Sequence, residues 1–238
     1  MLFQYYKCEQ KKFLYHKWNL VVLVGILVFV PVMAMTLDSF TGGTEDMINK
    51  SKLIQGFYLG QAGYAVLTAL YFGNEYQRSA LRTSLLSTPK RELFLISKLL
   101  CILTWSVILL LANTVCSIAI MNISSPGCLN AGEALKLLLP DYLSTLEIVV
   151  ITSGIVLLTR SMIVSMAIMV SLVLGLGNIL LQYSAEMKYL PVLSTMNGFF
   201  IVKMPHYLEI GAGVAVQALW GILISLIAFL VFRKRYVR

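Results

Sequence analysis

No charged residue interrupts the run from Asn19 to Leu37, and five comparable apolar runs follow it. A helix needs about 20 predominantly apolar residues to cross the hydrocarbon core of a bilayer. The runs at 19–37, 53–72, 99–121, 142–159, 162–182 and 210–232 meet that length, and only one of them carries a charge, Glu147. They are predicted to be six transmembrane helices. Composition agrees: 58% of the 238 residues are hydrophobic and 13% charged, against roughly 45–50% and about 25% in soluble domains. Mean hydropathy is +0.81. A free globular enzyme of this size would have too few charges to cover its surface, and a disordered chain would not be this apolar. The prediction is an all-α membrane protein, one transmembrane domain over 1–238, with no room for a separate soluble domain.

Lysine and arginine set the orientation, because cytoplasmic flanks carry their excess. With the N-terminus inside, 14 of the 19 basic residues fall on the cytoplasmic side. They are four in the first eighteen residues, five from Arg78 to Lys98, Arg160, and four from Arg233 onward. Both termini are therefore predicted to be cytoplasmic. The net charge of +8 is a topology signal. No stacking platform or basic motif accompanies it, so nucleic acid is not a predicted partner. The first run has a basic flank and Val32-Met33-Ala34 beyond it, as a signal peptide has, but the segment before it is too long; it is expected to be an uncleaved span.

Catalytic motifs are missing. There is no Gly-Lys dipeptide and hence no P-loop, no His-Glu-x-x-His and no Gly-x-Ser-x-Gly. His16 and His206 are predicted on opposite sides of the membrane. Gly175-Leu-Gly177 lacks the third glycine of a dinucleotide site and is expected to serve helix packing. Cys8, Cys101, Cys116 and Cys128 have no metal spacing and are expected to be apolar filler. Glu147 lies about 9 Å into the fourth run at 1.5 Å per residue. It is either a functional intramembrane acid lining a translocation path or a shallow residue near the outer interface.

The stretch between the second and third runs is far longer than the 2–8 residues that helix connections need. Leu81 and Leu85 are spaced i, i+4 with Ala80 and Leu86 alongside, and Arg78 and Arg82 form a neighbouring stripe. Thr88-Pro89 is a helix restart, with Pro89 at the first helical position. A short amphipathic helix is predicted here, either lying on anionic lipid or docking a cytoplasmic partner. At the N-terminus Lys11, Lys12 and Lys17 alternate with Phe13, Leu14 and Trp18; Leu14 and Trp18 are i, i+4, which predicts an interfacial helix. The outer segment 183–209 is apolar at 190–193 and 199–202 but broken by Pro191, Gly198 and Pro205, and each apolar piece is too short to cross. Gly56, Gly60 and Gly63, and Gly213, Gln217 and Gly221, line helix faces for close packing, within the chain or at a dimer seam.

The order Gly73-Asn74-Glu75-Tyr76, Arg78, Leu81-Arg82, Leu85-Leu86, Pro89-x-Arg91 and Lys98-Leu99 resembles the signature of the ABC type-2 permease family, in particular small permeases of the bacitracin and lantibiotic-immunity type. Ser79-Ala80 departs from the Gly-Thr of many members. The resemblance implies a dimer with a second or sister permease, and two separate ABC ATPase subunits that hold ATP and magnesium; this chain itself would bind no cofactor. It implies that Glu75, Arg78, Leu81, Arg82, Leu85, Leu86, Pro89 and Arg91 couple the ATPase to the membrane. It also implies a re-entrant helical pair in the outer segment, a bacterial cell membrane, and export of an amphipathic peptide, antibiotic or lipid-like substrate. An ion-gradient-driven carrier and a membrane-embedded enzyme are the alternatives.

The charge asymmetry has a direct check. An impermeant thiol reagent on intact cells should label Cys128 and spare Cys8. Labelling of Cys8 alone would reverse the orientation.

Overall fold

The computed structural model describes residues 2–37, 44–77, 91–124 and 131–234. Among them all regular structure is helical. The helices are α1 (Leu2–Tyr15), α2 (Lys17–Thr36), α3 (Glu45–Gly73), α4 (Arg91–Ser124), α5 (Ala131–Thr159), α6 (Met162–Ser171), α7 (Gly177–Tyr183) and α8 (Ile210–Lys234). A 3-10 turn, Asn74–Tyr76, closes α3, and a π turn, Leu172–Leu176, joins α6 to α7. Two further 3-10 stretches, Ala185–Tyr189 and Leu193–Phe199, lie between α7 and α8.

Four helices are long and apolar enough to cross a membrane: α2, α4 over Glu92–Ile123, α5 over Gly132–Thr159, and α8. They carry the predicted runs at 19–37, 99–121, 142–159 and 210–232. The run at 53–72 lies on α3, whose length of 29 residues is ample. Its Gln55 and Gln61, with interleaved Gly and Tyr, dilute its apolar content and keep it outside that set. Position explains the composition. α3 packs against α2, α4, α5 and α6, and buries Gln61, Tyr64, Thr68 and Tyr71 among apolar neighbours. A helix surrounded by protein finds hydrogen-bond partners that lipid does not offer.

The run at 162–182 is not one continuous helix. α6 has ten residues and α7 seven, separated by the π turn. Within that turn Gly175 has φ 136°, and a Cβ there would meet nothing within 4 Å. Gly175 therefore serves a backbone bend that L residues resist, not helix packing. Gly177 does serve packing, since a Cβ there would lie 2.9 Å from the Leu193 side chain. Tyr58 Oη on α3 donates to the Val173 carbonyl inside the π turn at 2.6 Å.

The N-terminal helix forms, but not with the face the sequence suggested. The chain leaves helical geometry at His16, φ −83° and ψ 107°. Leu14 and Trp18 thus sit on different helices, and both are exposed. The buried anchor is Phe13, stacked on Trp105 of α4 at 5.1 Å and edge-on to Tyr71 of α3 at 5.3 Å. Tyr6 Oη and Gln10 Nε2 donate to Thr104 Oγ1, and Trp105 Nε1 donates to Gln10 Oε1 at 2.6 Å. Aromatic stacking and paired polar groups bind α1 to the bundle, where lipid would offer only burial of an apolar face.

Small residues set the closest helix approaches within the chain. On α3 a Cβ at Gly56 would lie 3.0 Å from Ala34 N, and Gly60 and Gly63 face Val30 and Ile26 of α2. On α8 a Cβ at Gly213 would lie 2.0 Å from the Ser194 carbonyl oxygen. That contact lets the 3-10 turn Leu193–Phe199 sit against α8, with Leu193 through Asn197 and Phe199 buried. Segment 183–209 holds two 3-10 stretches, Ala185–Tyr189 and Leu193–Phe199, in place of the expected pair of helical legs.

The Gly213 contact predicts a steep effect. Gly213→Ala must displace backbone and should cost about 1–3 kcal/mol, visible as a lower unfolding temperature in detergent. Gly211→Ala, where a Cβ meets nothing within 4 Å, should leave that temperature unchanged or slightly raised.

Candidate functional site

Glu75 is the sequence-selected residue around which a site assembles. The 3-10 turn that ends α3 holds it nearly buried. Lys98, two turns into α4, reaches it with Nζ 2.8 Å from Oε1. Lys98 is 2% exposed, and an unpaired ammonium could not be held there. A second carboxylate completes the site: Glu9 of α1 places Oε2 3.7 Å from Lys98 Nζ and accepts from Tyr71 Oη at 2.7 Å. Lys12, one turn along α1, pairs with Glu9 at 3.0 Å and lies 3.9 Å from Glu75. Among the described residues two carboxylates and two ammonium groups balance. The Lys98 ammonium also lies 4.3 Å from the Tyr71 ring centre, with Phe94 and Phe72 at 5.6 and 5.7 Å. Anions and aromatic faces together take the place of its hydration.

Lys12 is the half-exposed member. Burial pulls its pKa down, but the charge and hydrogen bond of Glu9, with the charge of Glu75, outweigh that and raise it above 10.5. Its stabilising contribution is thus fully present at neutral pH, and is lost only as pH rises through the raised value.

The cluster joins three separate stretches of chain. Glu75 and Lys98 clamp both ends of the segment predicted to dock a partner. Arg78, Leu81, Arg82, Leu85, Leu86 and Pro89 themselves lie outside the described residues, as does Cys128; Arg91 is the first residue of α4. Glu147 is half-buried on α5, with Oε2 enclosed and without a hydrogen-bond partner.

A second polar group gathers at the other end of the bundle. Gln217 of α8 donates from Nε2 to the Ser144 carbonyl at 2.9 Å. Its Oε1 accepts from Thr195 Oγ1 at 2.9 Å and from Val192 N–H at 3.2 Å. Gln61 of α3 donates to Ser144 Oγ at 3.1 Å. Val192 has φ 72°, a strained geometry for a β-branched residue, and Gln217 secures the amide beside that strain. Asn197 ties the 3-10 turn to the chain ahead, accepting from Met204 N–H and donating to the Leu208 carbonyl. Near this network Asp141 of α5 is wholly buried.

Glu9, Asp141, Gln61 and Gln217 escaped the sequence reading as site residues. Glu9 had a signal: it is the one acid in the first 37 residues, set among lysines. Lys98 was visible as the last charge before an apolar run, but nothing in the sequence said that it turns inward. Among the described residues no group of three or more His, Cys, Asp and Glu side chains gathers where a metal could sit. The chain matches no protein-family model and no curated protein.

Lys98→Met should be among the most damaging single substitutions, because it removes the buried cation that Glu9 and Glu75 share. Removing one member of a buried pair costs about 3–5 kcal/mol. Adding Glu75→Gln to Lys98→Met should recover much of that loss. Thermal unfolding of the two variants in detergent measures the difference.

Proposed function

We propose that this chain is the membrane subunit of an ATP-driven exporter of the ABC type-2 kind, with six crossings and both termini cytoplasmic. It would work as a pair of permeases over separate ATPase subunits, and would move an amphipathic peptide, antibiotic or lipid-like molecule across a bacterial cell membrane. The observation that carries this proposal is the Glu75–Lys98 ion pair at 2.8 Å, buried at the root of the 78–90 segment and braced by Glu9. A segment clamped at both ends by a buried ion pair passes a displacement to α3 and α4 together, and through Glu9 to α1. A loop held only by its peptide bonds would absorb the same displacement. In this proposal α3 and the broken helix α6–α7 complete the six crossings, and the Leu193–Phe199 turn is the re-entrant element.

The competing proposal is a carrier driven by an ion gradient. Asp141 and the enclosed oxygen of Glu147 favour it. Transport that stops on ATP depletion but persists with ionophores separates the two.

Leu81 and Leu85 supply the apolar knob for a groove on the ATPase, with Arg78 and Arg82 at its rim. Truncating a central anchor costs on the order of 2 kcal/mol, roughly 30-fold in affinity. Leu81→Ala with Leu85→Ala should therefore release the ATPase, or uncouple its hydrolysis from transport, while the chain still inserts. Co-purification of an ATP-hydrolysing subunit and transport are the measurements. Full retention of both would assign this segment to lipid.

A further inference from the structure

Asp141 follows Pro140 almost three turns into α5, with 0% exposure. Neither carboxylate oxygen has a hydrogen-bond partner. What covers it is the 3-10 turn Leu193–Phe199: a Cβ built on Gly198 would lie 3.5 Å from Asp141 Oδ1 and 3.7 Å from the Pro140 Cβ. Few titratable groups surround it among the described residues. Tyr142, its chain neighbour, bonds Thr114 of α4 through its hydroxyl. From α3 come Tyr64, bonded to Asn113 of α4, and Tyr58, bonded to the π turn after α6. The 3-10 turn carries no titratable side chain, and α8 faces inward with Gly213, Gln217 and Gly221. Along α5 itself, Glu147 lies six residues on, and Glu133 is 3.9 Å from Lys50. Among the described residues no cation is in contact with Asp141.

We propose that Asp141 is a proton-binding site covered by the Leu193–Phe199 turn, so that the seating of this turn against α5 is linked to protonation. An ionised carboxylate here has lost its water and gained neither a donor nor a cation. A metal ion would require several oxygen ligands around it, and the neighbouring side chains offer none to Asp141. A proton removes the charge without any ligand set. When the turn lifts, water reaches Asp141 and the carboxyl releases its proton to the solution. The lifted arrangement then differs from the seated one by one proton, so rising pH favours lifting and falling pH favours seating. The turn is suited to such movement. It is held by the bond from its Thr195 to Gln217 and by the bond its Asn197 accepts from Met204 N–H, and it follows the strained Val192. The proposal holds whether ATP or an ion gradient drives the protein.

The test uses the full chain in nanodiscs, open to reagent on both faces. Ser194 is fully buried and its Oγ has no partner, so Ser194→Cys is a mild reporter; exposed Ala185 supplies the control Ala185→Cys. Thiol modification is read by peptide mass, which separates the native cysteines. Relative to the control, the Ser194→Cys rate should climb as pH rises, by at most roughly tenfold per pH unit for one linked proton. Adding Asp141→Asn should abolish the climb and keep the thiol shielded. A climb that persists with Asp141→Asn, or no climb at all, overturns the proposal. The unaltered protein gives a second readout. Dicyclohexylcarbodiimide, which attacks protonated carboxyls in apolar surroundings, should modify Asp141 at the acid end and progressively less as pH rises. Absence of that adduct under conditions that modify Glu147 would equally overturn it.

Discussion

An ammonium group held at 2% exposure among Tyr71, Phe72 and Phe94 is tolerable only beside an anion. Lys98 has two, and they come from different parts of the chain. Glu75 ends α3 and Glu9 lies on α1, so one requirement of charge neutrality holds three segments together. α1 cannot slide along the membrane surface without uncovering Lys98. The end of α3 and the start of α4 cannot separate without leaving charges unpaired in apolar surroundings. The stacking of Phe13 on Trp105 and the bonds of Tyr6 and Gln10 to Thr104 reinforce the position that the charges require.

The two ends of the bundle are built on different physics. At the Lys98 end the cohesion is ionic, with charges of both signs paired. At the other end it is a network of amides and hydroxyls around Gln217, Ser144, Thr195 and Gln61. Side-chain amides and hydroxyls can satisfy the donors and acceptors of irregular backbone. This is why the 3-10 turn and the positive φ of Val192 occur beside Gln217. Between the ends lies an apolar core of Ile54, Leu67, Ile102, Leu110 and Val149.

Asp141 and Lys98 illustrate two fates of a buried charge. Lys98 meets fixed counter-charges, and its burial fastens the fold. Asp141 meets none, so its burial depends on what covers it. Both residues stand just ahead of an apolar run, Lys98 before 99–121 and Asp141 before 142–159, where a sequence reading places charges in solvent.

The sequence by itself determined the solvent. Apolar runs of membrane length and scarce charge leave few choices besides a helical bundle in lipid, because only helices and closed barrels satisfy their backbone there. It also marked the glycine faces of α3 and α8, and it singled out Glu75. Tertiary structure decided the rest. Leu14 and Trp18 matched a helical spacing, yet a backbone break at His16 assigned them to different helices, and Phe13 took the buried place. Gly175 belonged to an apolar run, but only the π turn called on its positive φ. Glu9, Lys98 and Asp141 read as interfacial charges, since burial depends on neighbours brought in from 23 to 89 residues away: Glu75 to Lys98, and Glu9 to Lys98. Local spacing states which residues share a helix face. Which face meets which, and therefore which charges are paired, is settled by contacts that no local pattern encodes.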